Sequence, residues 1–73
     1  MISFLDEFGA ETFIFVQNIK YFKENVGGVY VKQHSKAKSV IETMQGDLFY
    51  SLNTVQEIKE RLIAAITGGK VDD

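Results

Sequence analysis

One five-residue segment, residues 12–16, limits what this chain can fold into. All five residues are β-branched or aromatic, which is the composition that strands prefer. Successive side chains of a strand point to opposite faces, so Phe13 and Phe15 lie on one face. Ile14 and Val16 lie on the other. A strand that is apolar on both faces is usually covered on both, and we expect two layers around this one.

The two layers require either a helix on one face and a partner on the other, or a strongly curled sheet. The chain has 73 residues, enough for one domain, and a single segment has the pattern of a helix. One helix covers one face of a sheet, so the second apolar face is expected to meet another subunit. We therefore predict a homo-oligomer with Phe13 and Phe15 in its interface.

Most of the chain before residue 53 has the patterns of strands. Alternating or β-branched segments are separated by glycine-containing turns, including a hairpin turn at residues 25–28. The predicted strands are residues 2–6, 12–16, 19–24, 29–34, 38–44 and 48–52. Zero prolines and ordinary globular proportions of apolar and charged residues argue against a disordered chain.

The last part of the chain predicts one helix. Thr54 and Glu57 form a capping box, in which each side chain bonds the backbone N–H of the other residue. An apolar stripe follows at helical spacing: Val55, Ile58, Leu62, Ala65 and Ile66. Gly68 and Gly69 end the helix. The fold class is therefore α+β, a curled antiparallel β-sheet of five or six strands with one C-terminal α-helix packed on it. We expect one domain over residues 1–69 and a frayed tail over residues 70–73.

The composition argues against catalysis. Without cysteine there is no disulfide, iron–sulfur cluster or thiolate, and a single histidine leaves a zinc site short of ligands. The spacing around Gly27 and Gly28 does not match a phosphate-binding loop. His34 has no orienting acid nearby in the sequence, so we expect it to face solvent. We predict no enzyme activity, no metal and no cofactor.

The charge is spread unevenly along the chain. The net charge is −2, but residues 19–38 contain five lysines and one acid. This stretch also holds Tyr21 and Tyr30, and lysines with aromatic side chains are one way to bind single-stranded nucleic acid. Arginine is absent from it, and lysines also commonly decorate solvated edge strands. The candidate surface for a protein partner or a nucleic acid is Lys20, Tyr21, Lys23, Tyr30, Lys32, His34, Lys36 and Lys38. A solvated face, an acidic protein partner and a nucleic acid all remain open.

The sequence also predicts a location. No apolar run approaches the roughly 18 residues of a membrane span. Asp6 and Glu7 stand where a secretory signal would carry basic residues. We expect a cytoplasmic protein without membrane insertion.

Several segments resemble the small FlbD-like (swarming motility) flagellar proteins. They are Met1-Ile2, Phe8-Gly9, residues 13–22 (FIFVQNIKYF) and residues 46–58 (GDLFYSLNTVQEI), the last being a glycine turn, a strand and a capped helix. Residues 33–45 depart from the family pattern because they are longer than its hairpin arm. Residues 18–22 and 29–32 are also similar to the first part of LytTR DNA-binding domains. The FlbD-like resemblance implies a non-enzymatic accessory protein, of a motility type or encoded by a phage.

Together these patterns predict a small non-catalytic binding or regulatory protein. We expect it to act on a protein partner through its sheet surface. The alternative is a nucleic-acid-binding module that uses the basic and aromatic residues 19–38.

Overall fold

The computed structural model describes residues 1–26 and 34–67. The elements are β1 (Ile2–Leu5), β2 (Glu11–Ile14), a 3-10 helix (Val16–Asn18), β3 (Ile19–Glu24), β4 (Ser39–Thr43), β5 (Leu48–Ser51) and α1 (Val55–Thr67). The predicted α+β class with antiparallel sheets and a C-terminal helix is confirmed. Within these residues, no helix has the length and apolar character needed to cross a membrane.

A tight turn joins β1 to β2. The N–H of Asp6 donates to the carbonyl of Ala10 at 2.8 Å, and the N–H of Gly9 donates to the carbonyl of Asp6 at 3.0 Å. Gly9 has a φ of 85°, the left-handed conformation that glycine adopts without a steric penalty. Three-residue hairpin loops commonly place glycine in this conformation. The glycine therefore fixes the geometry of the β1–β2 hairpin.

The second sheet has the order β3-β4-β5. Phe22, Ile41 and Phe49 are paired in one row across it, and all three belong to the core. A register shift between Ile19 and Tyr21 marks a β-bulge in β3. The sheet thus has one face toward the core and one toward solvent.

The prediction of a single curled sheet of five or six strands is wrong. The five described strands form two sheets, one of two strands and one of three. Between the sheets, an isolated bridge joins Asp6 to Ser51, and the N–H of Leu52 donates to the carbonyl of Leu5 at 2.9 Å. Strand pairing stops there because the chain leaves β5 after Ser51 and turns toward the helix.

Side chains complete the edge of β1 that none of the described strands covers. The N–H of Leu5 donates to Asn53 Oδ1 at 2.7 Å, and Arg61 Nη1 donates to the carbonyl of Ser3 at 2.8 Å. A strand edge needs partners for its polar groups, and here an asparagine and an arginine supply them. The edge of β1 is consequently tied to the turn before the helix and to the helix itself, while the backbone bonds at Leu5 and Asp6 link the two sheets.

Other boundaries differ from the expectation or lie outside the described residues. The strand predicted at residues 12–16 ends at Ile14, because Asn18 N–H bonds the carbonyl of Phe15 and begins a 3-10 turn. His34, predicted to end a strand, lies in a turn. The rest of that strand, Gly27 and Gly28 of the hairpin turn, Gly68, Gly69 and the tail at residues 70–73 lie outside the described residues.

The core is built by the inner faces of both sheets and the start of the helix. Its buried apolar side chains are Ile2, Phe4, Ile14, Ile41 and Ile58. Fully burying one such side chain stabilises a fold by about 1.5–3 kcal/mol relative to leaving it exposed. These five residues come from β1, β2, β4 and α1, so the core ties together elements distant in sequence.

The helix begins as predicted but packs over less of its length. Thr54 Oγ1 accepts from Glu57 N–H at 3.1 Å, and Glu57 Oε1 accepts from Thr54 N–H at 2.8 Å, which confirms the capping box. Ile58 is fully buried and Leu62 packs at the edge of the core. Ile66 is 58% exposed, so the predicted stripe contacts the sheet through its first turns only.

Candidate partner-binding surfaces

The solvent face of the three-stranded sheet is the first candidate surface. Strand pairing places Tyr21, Glu42 and Leu48 in one row and Lys23, Val40 and Tyr50 in the next. We call these six residues the outer sheet face. Since side chains alternate along each strand, they point away from the core row of the same strands. Tyr21 is 38% and Leu48 48% exposed, while Val40 is buried between its neighbours.

Charges on and beside the outer sheet face are partly compensated. Lys20 Nζ lies 3.7 Å from Glu42 Oε2. The Glu42 carboxylate beside the Tyr21 hydroxyl raises the pKa of Tyr21 above its usual value. Lys23 Nζ lies 5.7 Å from the centre of the Tyr21 ring, within range of a cation–π contact. A carboxylate therefore stands among the lysines that the sequence assigned to this surface.

His34 connects this face to the tip of the β1–β2 hairpin. Its ring stacks on Tyr50 with centroids 3.7 Å apart and planes 3° from parallel. Its Nδ1 contacts the carboxylate of Glu7. The expectation of a solvent-facing histidine holds only in part: the side chain is 32% exposed and packs between these two side chains. The stack covers one face of the Tyr50 ring.

The backbone of His34 is held in an uncommon conformation. Its φ is 62°, in the left-handed region that residues other than glycine seldom occupy. Asn25 Nδ2 donates to the carbonyls of His34 and Ala37, each at 3.0 Å, and Ala37 N–H also bonds the carbonyl of His34. These bonds fix the turn and thereby aim the imidazole at Tyr50.

The remaining residues of the predicted basic surface are dispersed. Lys36 lies at the hairpin tip beside Glu7, and Lys38 lies near Thr54 at the start of the helix. Tyr30 and Lys32 lie outside the described residues. The structure thus brings Lys20, Tyr21 and Lys23 together on one face, with His34 at its edge and Lys36 near His34 at the hairpin tip, and it places Lys38 toward the helix.

The second candidate surface is the outer side of the β1–β2 hairpin. We call Met1, Leu5, Phe13 and Phe15 the hairpin face. Phe13 is 61% and Phe15 57% exposed, although Ile14 between them is buried in the core. The predicted interface residues therefore form an uncovered apolar surface of the described chain.

Several residues of these surfaces were missed by the sequence patterns. Glu7 contacts a histidine 27 positions away, and nothing in the local sequence indicates such a pairing. Phe8, at the hairpin tip, is 87% exposed, although a phenylalanine is ordinarily assigned to the core. Glu42, Leu48 and Tyr50 could have been found, because the alternation of β4 and β5 puts them opposite the core row.

Comparison with known proteins adds no relative from which a function could be transferred. No family model, curated protein or solved structure matches the chain. Across residues 1–26 and 34–67, no three His, Cys, Asp or Glu side chains are grouped to hold a metal ion. Function has to be inferred from the two surfaces themselves.

Proposed function

We propose that the chain is a small, non-catalytic binding or regulatory protein whose outer sheet face binds a protein partner. The observation that carries this proposal is the mixture of exposed aromatic and aliphatic groups on a rigid sheet. Tyr21 and Leu48 flank Glu42 in one row, and Tyr50 lies in the next. Aromatic side chains combine large apolar area with a polar group and are enriched at protein interfaces.

The charge pattern favours a protein over a nucleic acid. Phosphate binding needs uncompensated cations, and the carboxylate of Glu42 already pairs with Lys20. A base also needs a free ring to stack on, and His34 occupies one face of Tyr50 at 3.7 Å. A protein partner can use the same groups, because its own side chains can be donors to Glu42 and apolar neighbours to Leu48.

A nucleic-acid-binding module is the alternative, and one observation favours it. Strand β3 carries Lys20, Tyr21 and Lys23 within four residues, and the amine of Lys23 lies close to the Tyr21 ring. Lysines beside an exposed ring are the elements of single-strand binding. This alternative predicts an affinity that falls steeply with salt, because each neutralised phosphate releases counterions.

The proposal extends to the setting of the protein. The resemblance of residues 13–22 and 46–58 to the FlbD-like proteins supports an accessory role in motility or in a phage. The cysteine-free composition fits a reducing compartment and supports a cytoplasmic location.

Site-specific crosslinking tests the proposed partner class. A photoreactive phenylalanine analogue is placed at position 48 on the outer sheet face and, as a control, at position 60 on the exposed side of the helix. We expect position 48 to form an adduct with one protein species in cells and position 60 to form none. Equal labelling at the two positions contradicts the proposal. An adduct that nuclease removes and protease leaves intact favours the alternative.

Binding to labelled single-stranded DNA supplies the second arm. We expect the affinity at physiological salt to stay in the weak, non-specific range of about 10⁻⁴–10⁻⁶ M. Submicromolar, salt-sensitive binding that Lys20→Gln and Lys23→Gln weaken would replace the first proposal by the second. Lys59→Gln, on the helix, is the matched control for loss of a positive charge.

A further inference from the structure

None of the described strands pairs with the outer edge of the β2 backbone, which we call the free edge. Leu5 lies opposite Glu11, and the N–H of Leu5 points away from β2 because it donates to Asn53 Oδ1. Opposed residues in an antiparallel ladder direct their polar groups either both toward or both away from each other. Glu11, and Phe13 two residues later, therefore direct their N–H and C=O groups away from β1. Among the described strands, β2 is paired with β1 alone.

The free edge is bordered by the hairpin face. Phe13 lies on the outer side of β2, Phe15 is the extended residue just after it, and Leu5 lies beside Phe13 on β1. These side chains are exposed, while the opposite side of the hairpin is buried in the core. An edge with unpaired polar groups next to exposed aromatic rings is suited to pairing with another strand.

We propose that β2 pairs antiparallel with β2 of a second copy of this chain about a two-fold axis at Phe13. In this register the two Phe13 residues exchange their N–H and C=O groups. Glu11 lies opposite Phe15 of the second copy, the extended residue after β2, whose N–H is available to the carbonyl of Glu11 while its own carbonyl accepts from Asn18 N–H. The interface is isologous, as in most homodimers. It joins the two hairpins into a four-stranded sheet with the phenylalanine rings of both copies on one face.

Charge repulsion favours the register with its axis at Phe13 over the register with its axis at Glu11. An axis at Glu11 would put two carboxylates directly opposite each other, which is destabilising. With the axis at Phe13, the two Glu11 positions are separated by four residues along the strands, about 13 Å. That separation exceeds the Debye length of about 8 Å at physiological ionic strength. The strand is therefore self-complementary without opposed like charges.

The exposed area sets the strength of the dimer. Edge-to-edge pairing buries the strand edges and the flanks of Phe13 and Phe15. Leu5 lies on β1, the far strand of each hairpin, and Met1 precedes it, so neither adds to the contact. The buried area is therefore below about 1,000 Å². This lies below the standard size of stable interfaces, where weak and transient complexes are found. We expect self-association in the micromolar range. The inference concerns the hairpin, not the outer sheet face, and it does not depend on the proposed function.

Sedimentation velocity over a range of concentrations tests the dimer. The full chain is expected to move from a mass of 8.3 kDa toward twice that mass as its concentration rises through the micromolar range. Phe13→Glu should weaken the association at least tenfold, and Leu48→Glu, a similar change on the other sheet, should leave it unchanged. A monomer at every concentration, or equal effects of the two variants, overturns the proposal.

Disulfide crosslinking tests the register and remains informative if Phe13→Glu does not fold. The chain has no cysteine, so each single-cysteine variant has one reactive position. Hydrogen-bonded pairs in antiparallel strands have Cα atoms about 5.5 Å apart, within the range of a disulfide. Phe13→Cys should oxidise to a crosslinked dimer at least tenfold faster than Leu48→Cys at the same concentration. Equal rates overturn the proposed axis.

Discussion

Asn53 Oδ1 accepts a hydrogen bond of 2.7 Å from the backbone N–H of Leu5, which ties the turn before the helix to the end of the first strand. The carbonyl of Leu5 accepts from Leu52 N–H and from Ser51 Oγ, both at 2.9 Å. The Nδ2 group of Asn53 in turn donates to Glu57 Oε1 at 3.3 Å. One buried asparagine therefore connects β1, the end of β5 and the first turn of α1.

Replacing Asn53 by alanine is expected to destabilise the fold. Asn53→Ala leaves the N–H of Leu5 without its acceptor in a partly buried position, which costs about 1–3 kcal/mol. Urea denaturation measures the loss. Asn18→Ala is the control, because that half-buried side chain makes no hydrogen bond to the described residues; it should cost less than about 0.5 kcal/mol. Equal losses would mean that the hydrogen bond from Leu5 to Asn53 adds nothing measurable to the free energy of unfolding.

Local elements of this fold are predictable because their causes lie within a few residues. The capping box formed by Thr54 and Glu57 spans one helical turn, and the structure confirms both of its bonds. The hairpin turn depends on Gly9, whose left-handed φ is a property of that residue type. Alternation along β4 and β5 likewise contains the information that separates their core row from their solvent row.

The division into two sheets and the composition of the surfaces depend on long-range contacts. Asn53 and Leu5 are 48 positions apart, and Glu7 and His34 are 27 apart. Strand alternation does not show where a ladder ends, so a continuous sheet was the natural expectation. The pairing of Lys20 with Glu42 also follows from the register of β3 on β4. A count of charges along the chain gives no information on that register.

The capping box predicts how stability depends on pH. The hydrogen bond from the N–H of Thr54, then that from Asn53, lowers the pKa of Glu57 below its ordinary value of 4.5. A carboxyl group with a lowered pKa in the folded state contributes stability above its unfolded pKa and loses it as the pH falls through its folded pKa. We therefore expect stability to decrease as the pH falls below about 4.5.

The variant Glu57→Gln isolates this contribution. Glutamine retains the capping geometry but does not titrate. Urea denaturation at pH 6 and pH 3 should show a smaller loss of stability for Glu57→Gln than for the natural chain. Glu60→Gln, one turn later on the exposed side of the helix, is the control and should keep the full loss. If Glu57→Gln and the natural chain lose the same amount, the capping bond does not depend on ionisation.

The packing of the helix predicts unequal effects of two isoleucines. Ile58 is fully buried, so Ile58→Ala removes core contacts and leaves a cavity, at a cost of about 2–5 kcal/mol. Ile63 is 50% exposed on the same helix, and Ile63→Ala should cost under about 1 kcal/mol. Chemical denaturation of the two variants measures the difference. Similar costs would mean that the helix packs on the sheet through another face.

The left-handed backbone of His34 predicts that glycine is a more stable replacement than alanine at this position, the reverse of the usual order of stability. Both His34→Ala and His34→Gly lose the stack on Tyr50 and the contact with Glu7, so their difference reports on the backbone. At a φ of 62° an alanine Cβ costs roughly 1–2 kcal/mol that glycine does not pay. We expect His34→Gly to be the more stable variant by about 1 kcal/mol in urea denaturation, after glycine's greater unfolded-state entropy is subtracted.

At Lys36, where φ is not positive, alanine should be the more stable replacement. The same order at both positions would show that Asn25 does not hold His34 in the left-handed conformation, and the imidazole would then lose its fixed place at the edge of the outer sheet face.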